Sequence, residues 1–119
     1  MGLSGKWIGY YQYKAIKPED AKRFNEKKFP FSAEFMPSTD NDLTGRMSDA
    51  VGAASIQGSL TGDSLQFVKR YERRDTDAVT YVGRLQPNGS LAGTWELKNR
   101  KQDLEGTWFM RRRPWWRFW

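Results

Sequence analysis

Six times in this chain a glycine sits midway between two apolar residues. The segments are Trp7-x-Gly9-x-Tyr11, Leu43-x-Gly45-x-Met47, Ile56-x-Gly58-x-Leu60, Tyr81-x-Gly83-x-Leu85, Leu91-x-Gly93-x-Trp95 and Leu104-x-Gly106-x-Trp108. On a pleated strand, residues two apart share a face, so each glycine lies on the same side as its apolar neighbours. Glycine inside a strand costs stability and leaves nothing to pack, so its recurrence in one register needs a geometric cause. Tight coiling supplies one: a small barrel bends each strand sharply, and a missing side chain on the concave face makes room for a large neighbour.

The intervening residues support strands rather than helices. Phe29, Phe31, Ala33 and Phe35 alternate with Pro30, Ser32, Glu34 and Met36, and Leu65, Phe67 and Tyr71 alternate with Gln66, Val68 and Arg70. Period two dominates after Lys27. Turn-forming residues separate the runs at 38–42, 49–52, 61–63, 73–77, 87–90 and 99–103. Pro87-Asn88-Gly89-Ser90 is the strongest of these, because Asn-Gly accepts the positive φ angles of a tight hairpin. Strands are therefore expected near 5–13, 29–36, 43–48, 53–60, 64–72, 78–86, 90–98 and 104–112. Eight short strands with short connections predict an all-β fold, an eight-stranded antiparallel up-and-down barrel. The segment Lys17 to Phe24 reads either as one helical turn opened by Pro18 or as a charged loop, bridging the first two strands and lying over one mouth.

At 119 residues there is room for one domain, read as a barrel over 1–112 followed by a short tail over 113–119. The chain has no cysteine and no histidine. Thiol nucleophiles, disulfides, zinc sites of the usual kind and histidine-dependent hydrolases are thereby excluded, and no metal or cofactor is expected. Glu34, Glu96 and Glu105 fall on the outward face, and the aspartates fall in turns, where their own backbone hydrogen bonds suit them. Asp49, Asp75 and Asp77 could gather at a barrel rim, but no shielded carboxylate pair is evident, so the chain reads as a non-enzyme.

Chemistry is concentrated on the inward row. Trp7, Tyr11, Phe67, Lys69, Tyr71, Tyr81, Trp95 and Trp108 share it, and aromatic walls with a few polar groups describe a small-molecule pocket. The same residues also suit a barrel simply filled by its own side chains, and the sequence leaves both readings open. Lys69 is the most informative, since an inward lysine needs a carboxylate, a ligand, or a strand end from which to reach water. As a ligand site, this row would hold a small apolar or aromatic molecule, with Lys69 receiving its anionic or polar end.

Several of these segments resemble avidin-like and, more broadly, calycin-type (lipocalin-like) barrels. Gly5-Lys6-Trp7 resembles the Gly-x-Trp of the first strand, and Leu43 to Gly52 resembles the avidin-type third strand with its Ala50-Val51-Gly52 exit. Tyr81-Val82-Gly83 sits where such proteins have Trp-x-Gly, and Trp95 where a ligand-stacking tryptophan ends strand seven. The resemblance implies a ligand-binding barrel. It does not imply biotin: Gly9 stands where the family offers an amide, and Met47 and Asp49 stand where it offers a tyrosine and a serine. A site lacking those partners would desolvate the ligand's polar groups without replacement.

The tail is a separate feature. Arg111, Arg112, Arg113 and Arg117 carry four of the 20 basic residues, and Trp115, Trp116, Phe118 and Trp119 lie among them, with no acid. Such a segment could pack on its own barrel or a partner protein, settle at an anionic membrane surface, stack on single-stranded nucleic acid, or stay disordered. The alternative function is thus an interaction protein acting through this tail. Basic charge confined to one end argues weakly for nucleic acid. Outward Ile8, Tyr10, Val68, Val82 and Phe109 offer a face for homo-oligomers. No secretory signal pattern opens the sequence, so a cytoplasmic location is expected.

Overall fold

A computed structural model describes residues 3–14, 27–38, 41–73, 78–98 and 103–114. Every regular element among them is a strand: β1 (Gly5–Tyr13), β2 (Phe29–Phe35), β3 (Asp42–Ser48), β4 (Ala53–Thr61), β5 (Ser64–Tyr71), β6 (Val79–Leu85), β7 (Leu91–Lys98) and β8 (Asp103–Arg112). Each boundary lies within one residue of its expected position. The strands pair in sequence order, all antiparallel, and β1 pairs with β8 to close the barrel. The segments 17–24 and 115–119, Asp75, Asp77 and the turns at 74–77 and 99–102 lie outside the described residues.

The recurrent glycines are where the strands approach most closely. At all six, an added Cβ would collide with a main-chain carbonyl oxygen of the adjacent strand, Phe109 for Gly9 and Gln12 for Gly106 among them. Large residues cover the gaps. Trp95 pairs with Gly106 and lays its indole over it, and Trp108 pairs with Gly93 and reaches Gly83. The indole N–H groups then cap carbonyls near these glycines: Trp95 Nε1 donates to Gln12 O at 3.1 Å, and Trp108 Nε1 to Thr94 O at 3.0 Å. Missing Cβ atoms, coiled backbone and buried indoles are thus one device.

The β6–β7 hairpin differs in detail from its expected form. Gly89 N–H donates to Gln86 O at 2.9 Å, and Gln86 N–H donates to Ser90 O at 2.8 Å. Gly89 has φ of +88°, while no non-glycine residue has positive φ. Asn88 therefore keeps a right-handed backbone and uses its side chain, which accepts from Ser90 N–H at 3.0 Å. Only the glycine takes the left-handed position, as in a type I turn closed by a glycine bulge.

An up-and-down meander puts alternate connections at opposite ends. The Asp49–Gly52 turn shares the upper end with the end of β1, the start of β2 and the end of β5; the start of β1, the end of β8 and the Gly62 and Gly89 turns share the lower one. Below the upper end the interior is lined by buried side chains. Trp7, Phe35, Met47, Phe67, Leu91, Trp108 and Met110 are all fully buried, with Trp7 and Phe67 each set edge-on to Phe35. Leu3 closes the bottom, accepting a 2.8 Å hydrogen bond at its carbonyl from Trp7 Nε1.

Candidate functional site

The upper end is built differently. Tyr11 and Tyr13 from β1 and Phe29 from β2 are half-buried and lie together with Trp95: the Tyr11 and Phe29 rings stack at 5.1 Å, and Trp95 meets both tyrosines edge-on at 5.9 and 5.1 Å. Alternation alone places them, since Tyr11 and Tyr13 continue the inward row of Trp7 and Gly9, and register sets Phe29 opposite Tyr11. Beneath them lies a buried charged residue, Lys69, at 1% exposure.

Lys69 does not reach water from a strand end. Its Nζ donates to Asp49 Oδ2 at 2.5 Å, and the two side chains are each 1% exposed. Tyr71 Oη donates to the same oxygen at 2.7 Å. The other carboxylate oxygen, Oδ1, accepts from Val51 N–H at 2.9 Å and Gly52 N–H at 3.2 Å. One aspartate thus closes the β3–β4 turn with one oxygen and holds the lysine with the other. Asp49 is therefore an interior group of the upper mouth rather than an open rim ligand.

Three tyrosine rings surround the ammonium: Nζ lies 4.7 Å from the Tyr71 centroid and 5.7 Å from those of Tyr11 and Tyr81. Cation–π attraction of this kind strengthens as water is removed. Tyr81 Oη, on a 2% exposed residue, accepts from Nζ at 3.5 Å.

Titration follows from this burial. Burial pushes the Asp49 carboxyl up, but the hydrogen bonds from Lys69 and Tyr71, the Lys69 charge and the Val51 N–H outweigh it and hold Asp49 below the usual carboxylate range. Burial pushes the Lys69 ammonium below its usual value, against the hydrogen bond and charge of Asp49. The Tyr11, Tyr71 and Tyr81 phenols are all pushed up: burial acts first, followed by Tyr13 on Tyr11, Asp49 on Tyr71, and Asp49 on Tyr81. The assembly is an ion pair of no net charge in a ring of neutral phenols. No group of three or more metal-ligating side chains occurs among the described residues.

The eight inward residues singled out in the sequence do not form one cluster. Tyr11, Lys69, Tyr71, Tyr81 and Trp95 gather at or just below the mouth. Phe67 and Trp108 sit deeper, where Phe67 stacks under Tyr81 at 4.7 Å, and Trp7 lies lower still. Asp49, Tyr13 and Phe29 join the mouth and were not in that set. The parity of Tyr13 with Tyr11 was the available signal. Of the tail residues, Arg111, Arg112 and Arg113 are described. Arg112 ends β8, with its guanidinium 4.8 Å from the Trp7 ring and Nη1 donating to Ser4 O at 2.9 Å. Of the outward apolar residues, Val82 is 48% exposed, whereas Ile8, Tyr10, Val68 and Phe109 are half-buried on the outer wall. A concavity of about 650 Å³ lies against β6, β7, β8 and β1, lined by Tyr13 and Trp95 together with Thr80, Thr94 and Thr107 and edged by Lys14, Glu96 and Glu105.

No protein-family model matches the chain, and no curated protein matches it in sequence. Among solved structures, it is similar to a crystal structure of a mutant of the fluorescent protein UnaG, at 12% identity and a TM-score of 0.45, covering 94% of this chain and 96% of that one. The eight strands form an antiparallel meander closed between β1 and β8, the up-and-down barrel that the sequence predicts.

Proposed function

We propose that this protein is a non-catalytic binding module that takes a small aromatic or apolar molecule at the upper mouth of its barrel. The observation that carries this reading is the division of the interior. Its lower part is closed by fully buried aromatic and aliphatic side chains, whereas its upper part is a half-buried ring of Tyr11, Tyr13, Phe29 and Tyr71 over a buried polar floor. Rings with polar edges can turn aside and stack on an entering ligand, whereas the close-packed floor cannot yield without loss of stability. Trp7, Phe67 and Trp108 then support the site, and Trp95, Tyr11 and Tyr71 touch what it holds.

Tryptophan fluorescence titrated with anilinonaphthalene sulfonate, a fatty acid and acetylnaphthalene tests this. The expected result is a saturable change with at least one probe, weakened in Tyr11→Ala and Trp95→Phe. No saturable change with any probe, or unaltered binding by both variants, overturns the reading. The tail-mediated alternative rests on Trp115 to Trp119, outside the described residues. Deleting residues 113–119 before co-sedimentation with anionic vesicles checks it separately.

A further inference from the structure

The polar floor carries a more specific message, which rests on the mouth being a binding site. Lys69 Nζ has three hydrogens: one goes to Asp49, one makes the long 3.5 Å contact with Tyr81 Oη, and the third meets no acceptor among the described residues, facing only tyrosine rings. The Tyr81 hydroxyl hydrogen likewise has no acceptor among the described residues, although Tyr81 is 2% exposed. Two buried donors thus converge under the mouth with unmet capacity, a costly condition that an acceptor oxygen would relieve.

The charge on that oxygen matters. Asp49 already neutralises Lys69, and the backbone N–H groups of Val51 and Gly52 together with Tyr71 Oη hold Asp49 in its charged form. An entering carboxylate would set a second anion beside Asp49 to share one ammonium in a water-poor site. A neutral carbonyl oxygen would accept from Tyr81 and Lys69 without that repulsion. We propose that the upper mouth recognises a neutral aromatic carbonyl compound, its oxygen held by Tyr81 and Lys69 and its rings stacked among Tyr11, Phe29 and Trp95, in preference to an aromatic carboxylate of the same size.

Three matched naphthalenes separate the elements of this proposal: acetylnaphthalene, naphthoate and ethylnaphthalene, titrated into the full chain at neutral pH. Acetylnaphthalene is expected to bind about tenfold more tightly than ethylnaphthalene, the equivalent of one well-formed hydrogen bond, and more tightly than naphthoate. Tyr81→Phe should shrink the ketone's advantage over ethylnaphthalene severalfold and leave ethylnaphthalene unchanged. In the unaltered protein, the infrared carbonyl stretch of bound acetylnaphthalene should move to lower frequency than in hexane, which keeps the test independent of how the variant folds. Naphthoate binding as tightly as the ketone, equal binding of ketone and ethylnaphthalene, or an unshifted carbonyl stretch overturns this proposal while leaving a binding mouth in place. Binding of none of the three overturns it together with the proposed function.

Discussion

Trp95 rests its indole on Gly106, its partner on the neighbouring strand, and the same indole donates to Gln12 O and Thr107 O on either side of that contact. A Cβ at Gly106 would meet both the Gln12 carbonyl and the indole ring, which lies 2.7 Å away at Nε1. Gly106→Ala is therefore expected to cost about 2–3 kcal/mol through overpacking, with the near-ultraviolet signal of Trp95 altered in the native state. Urea unfolding with a change below about 0.5 kcal/mol would show that the glycine is incidental.

Gly89 provides the contrast. Its φ is +88°, but an added Cβ would meet nothing within 4 Å, so Gly89→Ala pays for backbone strain alone. A cost of about 1–2 kcal/mol is expected, below that of Gly106→Ala and without a change in the tryptophan signal. A larger loss at Gly89 than at Gly106 would place the main role of glycine in the turns rather than in strand coiling.

The Lys69–Asp49 pair predicts strong non-additivity. Asp49→Ala leaves a buried ammonium without its counter-charge and frees the β3–β4 turn, and should cost about 3–5 kcal/mol. Pairing Asp49→Asn with Lys69→Met keeps the side-chain volumes, removes both charges and lets the amide oxygen serve the turn, so the double variant should unfold at higher urea than Asp49→Ala. Asp49→Asn alone keeps the turn oxygen but strands the Lys69 charge, so a double variant no more stable than Asp49→Asn would mean that the turn, not the charge, dominates.

How much of this was legible in the sequence depends on distance along the chain. The strands were, because each needs only period-two alternation and a local turn, and a meander pairs neighbours in sequence. The inward direction of Lys69 was also visible from its parity with Phe67 and Tyr71. Its partner was not: Asp49 lies twenty positions away in a turn where aspartate already has a sufficient local reason to be. That local reason is real, since Oδ1 holds the turn, and it concealed the second role of Oδ2. The difference between fully buried lower rings and half-buried upper ones was equally hidden, because alternation reveals which face a residue takes but not its depth in a tilted barrel.

Stability should fall at both ends of the pH range. The Asp49 carboxyl is lowered in the folded state, so its contribution is present above the ordinary carboxylate value of about 4 and disappears as pH falls through the lower folded value. Protonation there also strands the Lys69 charge, so acid unfolding should set in below about pH 4. At the alkaline end two effects oppose each other. Lys69 is lowered on folding, so over the interval up to its ordinary value of about 10.4 the unfolded chain holds a proton that the native state has released, and stability rises with pH. Tyr11, Tyr71 and Tyr81 are raised, so above about pH 10 the unfolded chain loses phenolic protons that the native state keeps, and stability falls. Three protons against one decide the sign: the fall approaches about 4 kcal/mol per pH unit once all three unfolded phenols are ionised. Urea midpoints across pH 8 to 12 should pass a shallow maximum and then drop steeply, and Tyr71→Phe should make the drop shallower. A flat profile above pH 10 would mean that these phenols ionise as freely in the barrel as in water.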